Sequence, residues 1–449
     1  MTVGGMARLR SVNPATEEEL ASFQEHTAEE LDRALVEADA AQRAWRRTSL
    51  GQRARVLVEA ARLLRQRRPE SARLATLEMG KPIAEAEAEV DKCAWNCEFY
   101  AEQAPHHAVE LPVLAGAAVR HPGADGRQRR AAEHSPNVSQ CALAIEQLLA
   151  AAGAPPGLFR TLLVSDASVG EATERLITDT CLSAVTLTGS ERAGAAVGAA
   201  AGRAHEKCVL ELGGSDPFIV LADADLSNVA DQAARARFLN AGQSGIAAKR
   251  FIVEQTVAEE FERRLVDATA ALTIGDPLDP ATRIGPLARA DLRDGLERQV
   301  EESQAVGPTS CWGATASTAA AGSSPHGPDR RHPRDAGVPA GDLRPVAAVI
   351  RAEDEEAAVE LANDTPCGLG ASLWTDDTER GQRLGRQMQS GSLFVNGIVA
   401  SDPRLPFGGI KRSGYGRELA AVGIHEFTNI RTFWVQPAGT PRRRRSPSE

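Results

Sequence analysis

From Ala142 to Val395 the sequence alternates short apolar runs with runs of helical period, and that alternation limits the fold more than any other feature. A helix over Ala142–Ala152 leads to a strand over Phe159–Val164. A polar helix follows, then the strand Ala184–Thr188, the pair Gly189-Ser190, a small-residue helix to about Gly202, and the strand Cys208–Leu212. After Gly213-Gly214 a second set begins. It comprises a strand over Phe218–Leu221, a helix over Leu226–Asn240, a strand over Arg250–Val253, and a helix to about Leu272 opened by a capping box at Thr256 and Glu259. Val346–Ile350, Glu355–Ala362 and Leu393–Val395 continue the pattern. Continuous apolar strands separated by helices are the signature of a parallel sheet covered by helices. The expected class is α/β, in two successive units that divide near residue 212.

The N-terminal hundred residues read as helices with clear punctuation. Thr27 and Glu30 form a capping box, and Leu31, Ala34, Leu35, Ala38, Ala41 and Trp45 then repeat at helical spacing. A second helix covers roughly Gln52–Gln66. A third ends at Gly80, ahead of Pro82, and a fourth runs from about Ile83 to Ala104 and stops at Pro105.

Two windows, 106–133 and 307–341, hold neither a period of 2 nor one of 3.6. Both are rich in Ala, Gly, Pro, Arg and Ser. Flexible surface loops are one reading. Out-of-frame translation of a GC-rich gene is another, because shifted GC-rich codons give that alphabet and the flanking sequence resumes with full regularity.

The net charge of −10 opposes broad nucleic-acid binding. The one basic cluster, at residues 437–449, reads as a solvated, disordered tail. No apolar run reaches the ~20 residues of a membrane span, and the N-terminus lacks a signal-peptide core, so a cytoplasmic location and no membrane partner are expected. The chain has seven cysteines, an odd number without paired spacings, which opposes a disulfide framework. Cys93 and Cys97 share a helix face, but no matching Cys/His pair follows. Packing, and no metal, is expected there.

Seven collinear segments carry a resemblance: LEMGKPIAEA, TLTGSERAG, VLELGGSDPFIVLADADL, NAGQSGIAAKRFIV, GDPLDPATRIGPLA, LANDTPCGLGASLWT and LPFGGIKRSGYGRE. Together they resemble the NAD(P)-dependent aldehyde dehydrogenase superfamily, and within it the bacterial succinate-semialdehyde dehydrogenases, often NADP-linked. The resemblance covers about 13–104 and 134–435, apart from the second window. It implies a Rossmann-type cofactor domain, here incomplete, an α/β catalytic domain, and an oligomerisation strand near Glu426–Val435. The corresponding spans are 1–212, 213–422 and 423–436.

The chemistry so implied needs a thiolate that attacks the aldehyde, a carboxylate base that activates water, and amide donors for the oxyanion, with NADP or NAD as hydride acceptor. Glu211 matches the family's general base. Gly189, Ser190 and Gly194 match the turn that carries the cofactor's phosphates, although small residues at such positions also serve helix packing. Leu212 would lie near the nicotinamide. Phe407 matches an aromatic near substrate and cofactor, with core packing as the alternative. Arg404 and Ser401 lie near the family's substrate entrance, where Arg404 would meet a carboxylate or serve as a surface residue.

Three departures stand against this frame. Gly245 falls where the family has its nucleophilic cysteine, and Cys208 looks like packing rather than a substitute. The first window lacks the family's Pro-Trp-Asn turn, whose asparagine helps form the oxyanion hole, and Glu133 stands where a lysine would face the adenosine. The family's Glu-x-Phe-Gly-Pro becomes Gly341-Asp342-Leu343-Arg344-Pro345. Three readings remain: a working dehydrogenase of a small aldehyde; an inactive relative that binds a partner, as a homo-oligomer or beside an active paralogue; and a damaged gene product.

Overall fold

The structure is a computed structural model that describes residues 8–107, 131–182, 184–306, 310–313, 320–324, 346–428, 432, 434 and 435. A hairpin of β1 (Arg8–Val12) and β2 (Glu19–Gln24) precedes four helices: α1 (Ala28–Trp45), α2 (Leu50–Gln66), α3 (Arg68–Met79) and α4 (Ile83–His107). Then come β3 (Ala131–Glu133), α5 (Ser139–Ala151), β4 (Arg160–Leu162), α6 (Val169–Thr178), β5 (Ala184–Thr188), α7 (Glu191–Ala204) and β6 (Lys207–Glu211). The next series is β7 (Asp216–Val220), α8 (Leu226–Phe238), β8 (Ala248–Glu254), α9 (Ala258–Ala270), α10 (Ala290–Val306), β9 (Ser310–Gly313) and β10 (Ala320–Ser324). The last is β11 (Val346–Ala352), α11 (Glu355–Asn363), β12 (Gly370–Trp374), α12 (Thr378–Gly385), β13 (Ser392–Val395), β14 (Gly414–Tyr415) and α13 (Ala420–Glu426).

The expected α/β alternation is present, and apart from β14 the strands of the two units join different sheets. Those from β7 to β13 form a seven-stranded sheet in the order β13-β12-β7-β8-β11-β10-β9, parallel except for β9. β7 and β8 are buried along their whole length. Phe218, on β7, packs against Phe251 at 5.2 Å and Trp374 at 5.4 Å between ring centroids. Rings on neighbouring strands cover one face, and Ile219, Leu221, Ile252 and Leu373 pack on the other; excluding water from both is the main stabilising term for such a layer. Before residue 213, β5 and β6 pair in parallel with β14 antiparallel to β6, while β3 and β4 form a separate parallel pair. Cys97 lies in the helical core formed by α2, α4 and α5, with Cys93 packed against it, as expected for packing residues.

The structure corrects several boundaries. α4 continues to His107 rather than stopping at Ala104. A proline in the last turn forfeits one backbone bond, which a long helix already held by α2 and α3 tolerates. The strand expected over Phe159–Val164 shortens to β4. The Thr256–Glu259 capping box does not form: Val257 is the N-cap, one residue later, and no side chain caps the helix. Val257 N–H instead donates to the Glu254 carbonyl, which holds Thr256 in the preceding turn. The second window contains β9 and β10, and the first ends in β3, so neither is wholly without regular structure. The strand expected over Glu426–Val435 is absent from the described residues there. Glu426 ends α13, and positions 432, 434 and 435 lie in no ladder. The basic tail and residues 341–345 lie outside the described residues.

Candidate active site

The site forms where the end of β6 meets the start of β8. Glu211 is the last residue of β6, and Gly213 and Gly214 carry the chain across to Asp216, the first residue of β7. β14 closes over this crossing: Gly414 pairs with Glu211, the Leu212 N–H donates to the Ser413 carbonyl at 3.0 Å, and the Ser413 hydroxyl donates to the Gly213 carbonyl at 2.7 Å. A Cβ at Gly214 would lie 3.0 Å from the Gly245 carbonyl oxygen, so the two loops touch through backbone.

Glu211 is 5 % exposed, and its Oε1 has no hydrogen-bond partner among the described residues. Burial pushes its carboxyl up to about 8. The neighbouring Glu418 charge acts in the same direction, and Arg417 opposes both. The Gly408 backbone approaches so closely that a Cβ there would sit 2.8 Å from Oε1. A carboxyl in this setting holds a proton near neutrality and becomes a base only above that range.

The loop before β8 is held by Glu85 of α4, by its own Gln243 and by the buried Lys249 of β8. α8 ends at Phe238, and Asn240 and Ala241 turn left-handed at φ 53° and 52°, so the helix expected to reach Asn240 stops short of it. The cause is visible: Asn240 N–H donates to Glu85 Oε2 at 2.7 Å, a carboxylate on α4. Gln243 Oε1 accepts from Ala288 N–H at 2.9 Å. Lys249, fully buried, donates to the carbonyls of Gly245 at 3.0 Å and Ala247 at 3.2 Å. Left-handed non-glycine residues persist only where surrounding contacts over-determine them. Glu85→Ala is therefore expected to destabilise the protein by about 2–3 kcal/mol, while Glu85→Gln, which keeps an acceptor, loses well under half of that. Urea unfolding with amide exchange at Asn240 measures both, and equal losses for the two variants would contradict the assignment.

Gly245 itself is half-buried, and a Cβ there would meet only Leu369 Cδ2, at 3.3 Å. The position accommodates a side chain and has none. Among the described thiols are Cys208, half-buried, and Cys367, buried. Cys208 packs beside Leu187 and Leu210, and Cys367 is buried beside Glu191. Burial raises both thiols above the usual cysteine range.

Among the remaining residues singled out from the sequence, Ser190 is the N-cap of α7, accepting from Ala193 N–H at 3.2 Å, and Gly189 precedes it on an exposed turn. Gly189 N–H donates to the Glu211 carbonyl at 3.0 Å, which ties that turn to the site. Gly194 and Leu212 meet each other: a Cβ at Gly194 would fall 2.4 Å from Leu212 Cδ1. Gly194→Ala is expected to lower stability by about 1–2 kcal/mol in urea unfolding, because overpacking outweighs the ~1 kcal/mol helix-propensity gain of alanine. A stabilised variant would contradict this. Phe407 is half-buried and bonded through both backbone groups to Glu418, so it is not a core residue. Arg404 is exposed, forked onto Asp402 at 2.9 and 2.6 Å, with the Trp95 ring 5.4 Å away. Glu133 is buried and accepts from the Thr173 hydroxyl at 2.8 Å. Glu85, Lys249 and Ser413 escaped the sequence reading, since each acts on a segment it does not adjoin or on its own backbone. Among the described residues no cluster of three metal-ligating side chains occurs, and no helix is long and apolar enough to cross a membrane.

A buried, proton-holding carboxylate at the end of one parallel sheet thus lies close along the chain to Gly214, which meets the loop that opens a strand of a second sheet, and a helix-opening turn is tied to the same strand end. The chain belongs to the aldehyde dehydrogenase family, whose model matches residues 3–121 and 132–433. That match runs through the second window and into the first. The chain is 41% identical to a probable NADP(+) succinate-semialdehyde dehydrogenase of Synechocystis sp., over 95% of this chain and 99% of that protein. It is 40% identical to an NAD(P)+ succinate semialdehyde dehydrogenase of Escherichia coli, over 97% and 99%. Its fold is similar to the crystal structure of succinic semialdehyde dehydrogenase from Streptococcus pyogenes in complex with NADP+, with TM-score 0.86, 28% identity, and 96% and 100% of the two chains covered.

Proposed function

We propose that the chain binds NADP, or NAD, together with succinate semialdehyde, and that its oxidation of the aldehyde is impaired because position 245 carries no nucleophile. One observation carries this reading: Gly245 sits in a loop whose buttressing by Glu85, Gln243 and Lys249 is intact, and its carbonyl meets Gly214 on the crossing that follows Glu211. The names of the relatives supply the aldehyde and the cofactor.

The residues present fit the dinucleotide. The exposed turn at Gly189-Ser190 opens a helix of 14 residues, and nothing lies closer than 3.5 Å to the Cβ position of Gly189, so phosphate can approach the backbone there. Gly194 and Leu212 shape that helix's seat, and Phe407 and Arg404 border the aldehyde's side of the site. The bound group would supply a hydride acceptor, and Glu211 would take or hold the proton of the attacking water. Residues 1–212 then serve the cofactor, 213–422 the aldehyde, and 423–436 a partner chain.

A second reading, an inactive partner subunit in a homo-oligomer or beside an active paralogue, is favoured by Trp434 and Val435, which stand 82% and 68% exposed in this single chain. Titrating NADP against tryptophan fluorescence tests cofactor binding. Saturable quenching is expected, and a non-saturating response would overturn the proposal.

A further inference from the structure

Position 245 lies over a buried cation. Lys249, on β8 and fully buried, donates from Nζ to the carbonyls of Gly245 at 3.0 Å and Ala247 at 3.2 Å. Ala247 N–H donates to the Ser244 carbonyl at 3.1 Å and closes the turn that presents residue 245. A carbonyl oxygen is two bonds from its own Cα, so the ammonium stands on the order of 6 Å from a side-chain atom at 245. A charge at that range, away from water, favours an opposite charge on its neighbour.

The same ammonium faces an acid. Asp216, the first residue of β7, is buried, and burial pushes its carboxyl up. The Lys249 charge opposes that push most, followed by the Gly370 backbone N–H and the Arg250 charge. Acid, ammonium and loop carbonyl meet around Gly214: a Cβ there would lie 2.5 Å from Asp216 Oδ1 and 3.0 Å from the Gly245 carbonyl oxygen that Lys249 holds. Arg250, the next residue along β8, is committed elsewhere. Its guanidinium donates to the carbonyls of Ser215 at 3.0 Å, Leu361 at 2.7 Å and Ala362 at 2.9 Å. Lys249 is therefore the cation that bears on residue 245.

We propose that Lys249, with Asp216 as its counter-charge, is a positioning residue for position 245: it fixes the carbonyl there and makes the adjoining side-chain space favour a thiolate over a thiol. The proposal rests on the reading that 245 is the nucleophile's place. The experiment follows iodoacetamide labelling of residue 245 from pH 5 to 9 by peptide mass analysis, in Gly245→Cys alone and combined with Lys249→Met, Lys249→Arg or Asp216→Asn. The Gly245→Cys thiol is expected to titrate about one pH unit or more below the ordinary cysteine value of about 8.5. Lys249→Met is expected to raise that titration by about one unit, roughly tenfold slower labelling at pH 7, and Asp216→Asn to raise it as well. Lys249→Arg, which keeps the charge, is expected to label within about threefold of its parent. A titration that Lys249→Met leaves unmoved, or that Lys249→Arg shifts as far, would overturn the assignment, because lost packing moves both alike. If the Lys249→Met protein does not fold, Asp216→Asn decides, and an unmoved or lowered titration there overturns the pair. A thiol shifted as expected in a chain that does not bind NADP would sink the functional reading and leave the pair in place.

Discussion

Purified protein given NADP and succinate semialdehyde is expected to form no NADPH above background, and Gly245→Cys alone is expected not to change that. The reason is first chemical. On the proposed reading that position 245 is the nucleophile's place, oxidation of an aldehyde through a covalent adduct needs a sulfur there, and glycine carries no side chain to supply one. Loss of the nucleophile from a site that works as a unit lowers turnover by about six orders of magnitude. Cys208, half-buried, and Cys367, buried, do not compensate, since burial shifts both toward the unreactive protonated form. Restoring the thiol alone falls short because residues 106–133 contain no Pro-Trp-Asn turn to donate to an oxyanion, and one missing oxyanion donor costs about 10²–10³ in rate. The loop should nonetheless accept the cysteine, with Leu369 yielding a few tenths of an ångström. Iodoacetamide labelling of the Gly245→Cys variant, followed by peptide mass analysis, separates a well-placed but idle thiol from a collapsed loop. Steady NADPH production by the unmodified protein would sink the prediction.

The second large effect concerns Glu211 and pH. Its folded carboxyl titrates near 8, well above the ordinary 4.5, because burial disfavours the charged form. The folded state therefore holds a proton that the unfolded chain releases. The stability this contributes is fully present below about pH 4.5 and is lost as pH rises through about 8. Glu211→Gln, neutral at every pH, removes the dependence. The variant should match the native protein near pH 5 and exceed it at pH 9 by roughly 3–5 kcal/mol. Since Glu85 and Glu133 are also raised by burial, the difference between the two proteins across pH is the quantity to measure. Parallel stability curves from pH 5 to 9 would show that Glu211 is ionised throughout.

Much of the fold was legible because its signals are local. The apolar run AVTLT became β5 without a shifted boundary, and Thr27 with Glu30 caps α1 as expected. Glu211 and Gly245 stand in motifs that the sequence alone displays, and the roles proposed for them rest on those motifs. The failures are those of local reading. The helical pattern through Asn240 could not register a carboxylate 155 residues away that takes its N–H. The Thr256–Glu259 spacing is a capping box only if the helix starts at Val257, and the turn at Glu254 delays it by one residue. Arg404 looked like an anion site until Asp402, two residues earlier, closed on it.

By itself the sequence determined the order of strands and helices, since periodicity and capping act over a few residues, and it determined that position 245 has no reactive atom, since composition needs no geometry. Only the tertiary structure decided which charges matter. Desolvation depends on what the rest of the chain packs around a group. That packing left Glu211 without a partner for Oε1, matched Arg404 with Asp402, and set Lys249 against the Gly245 carbonyl.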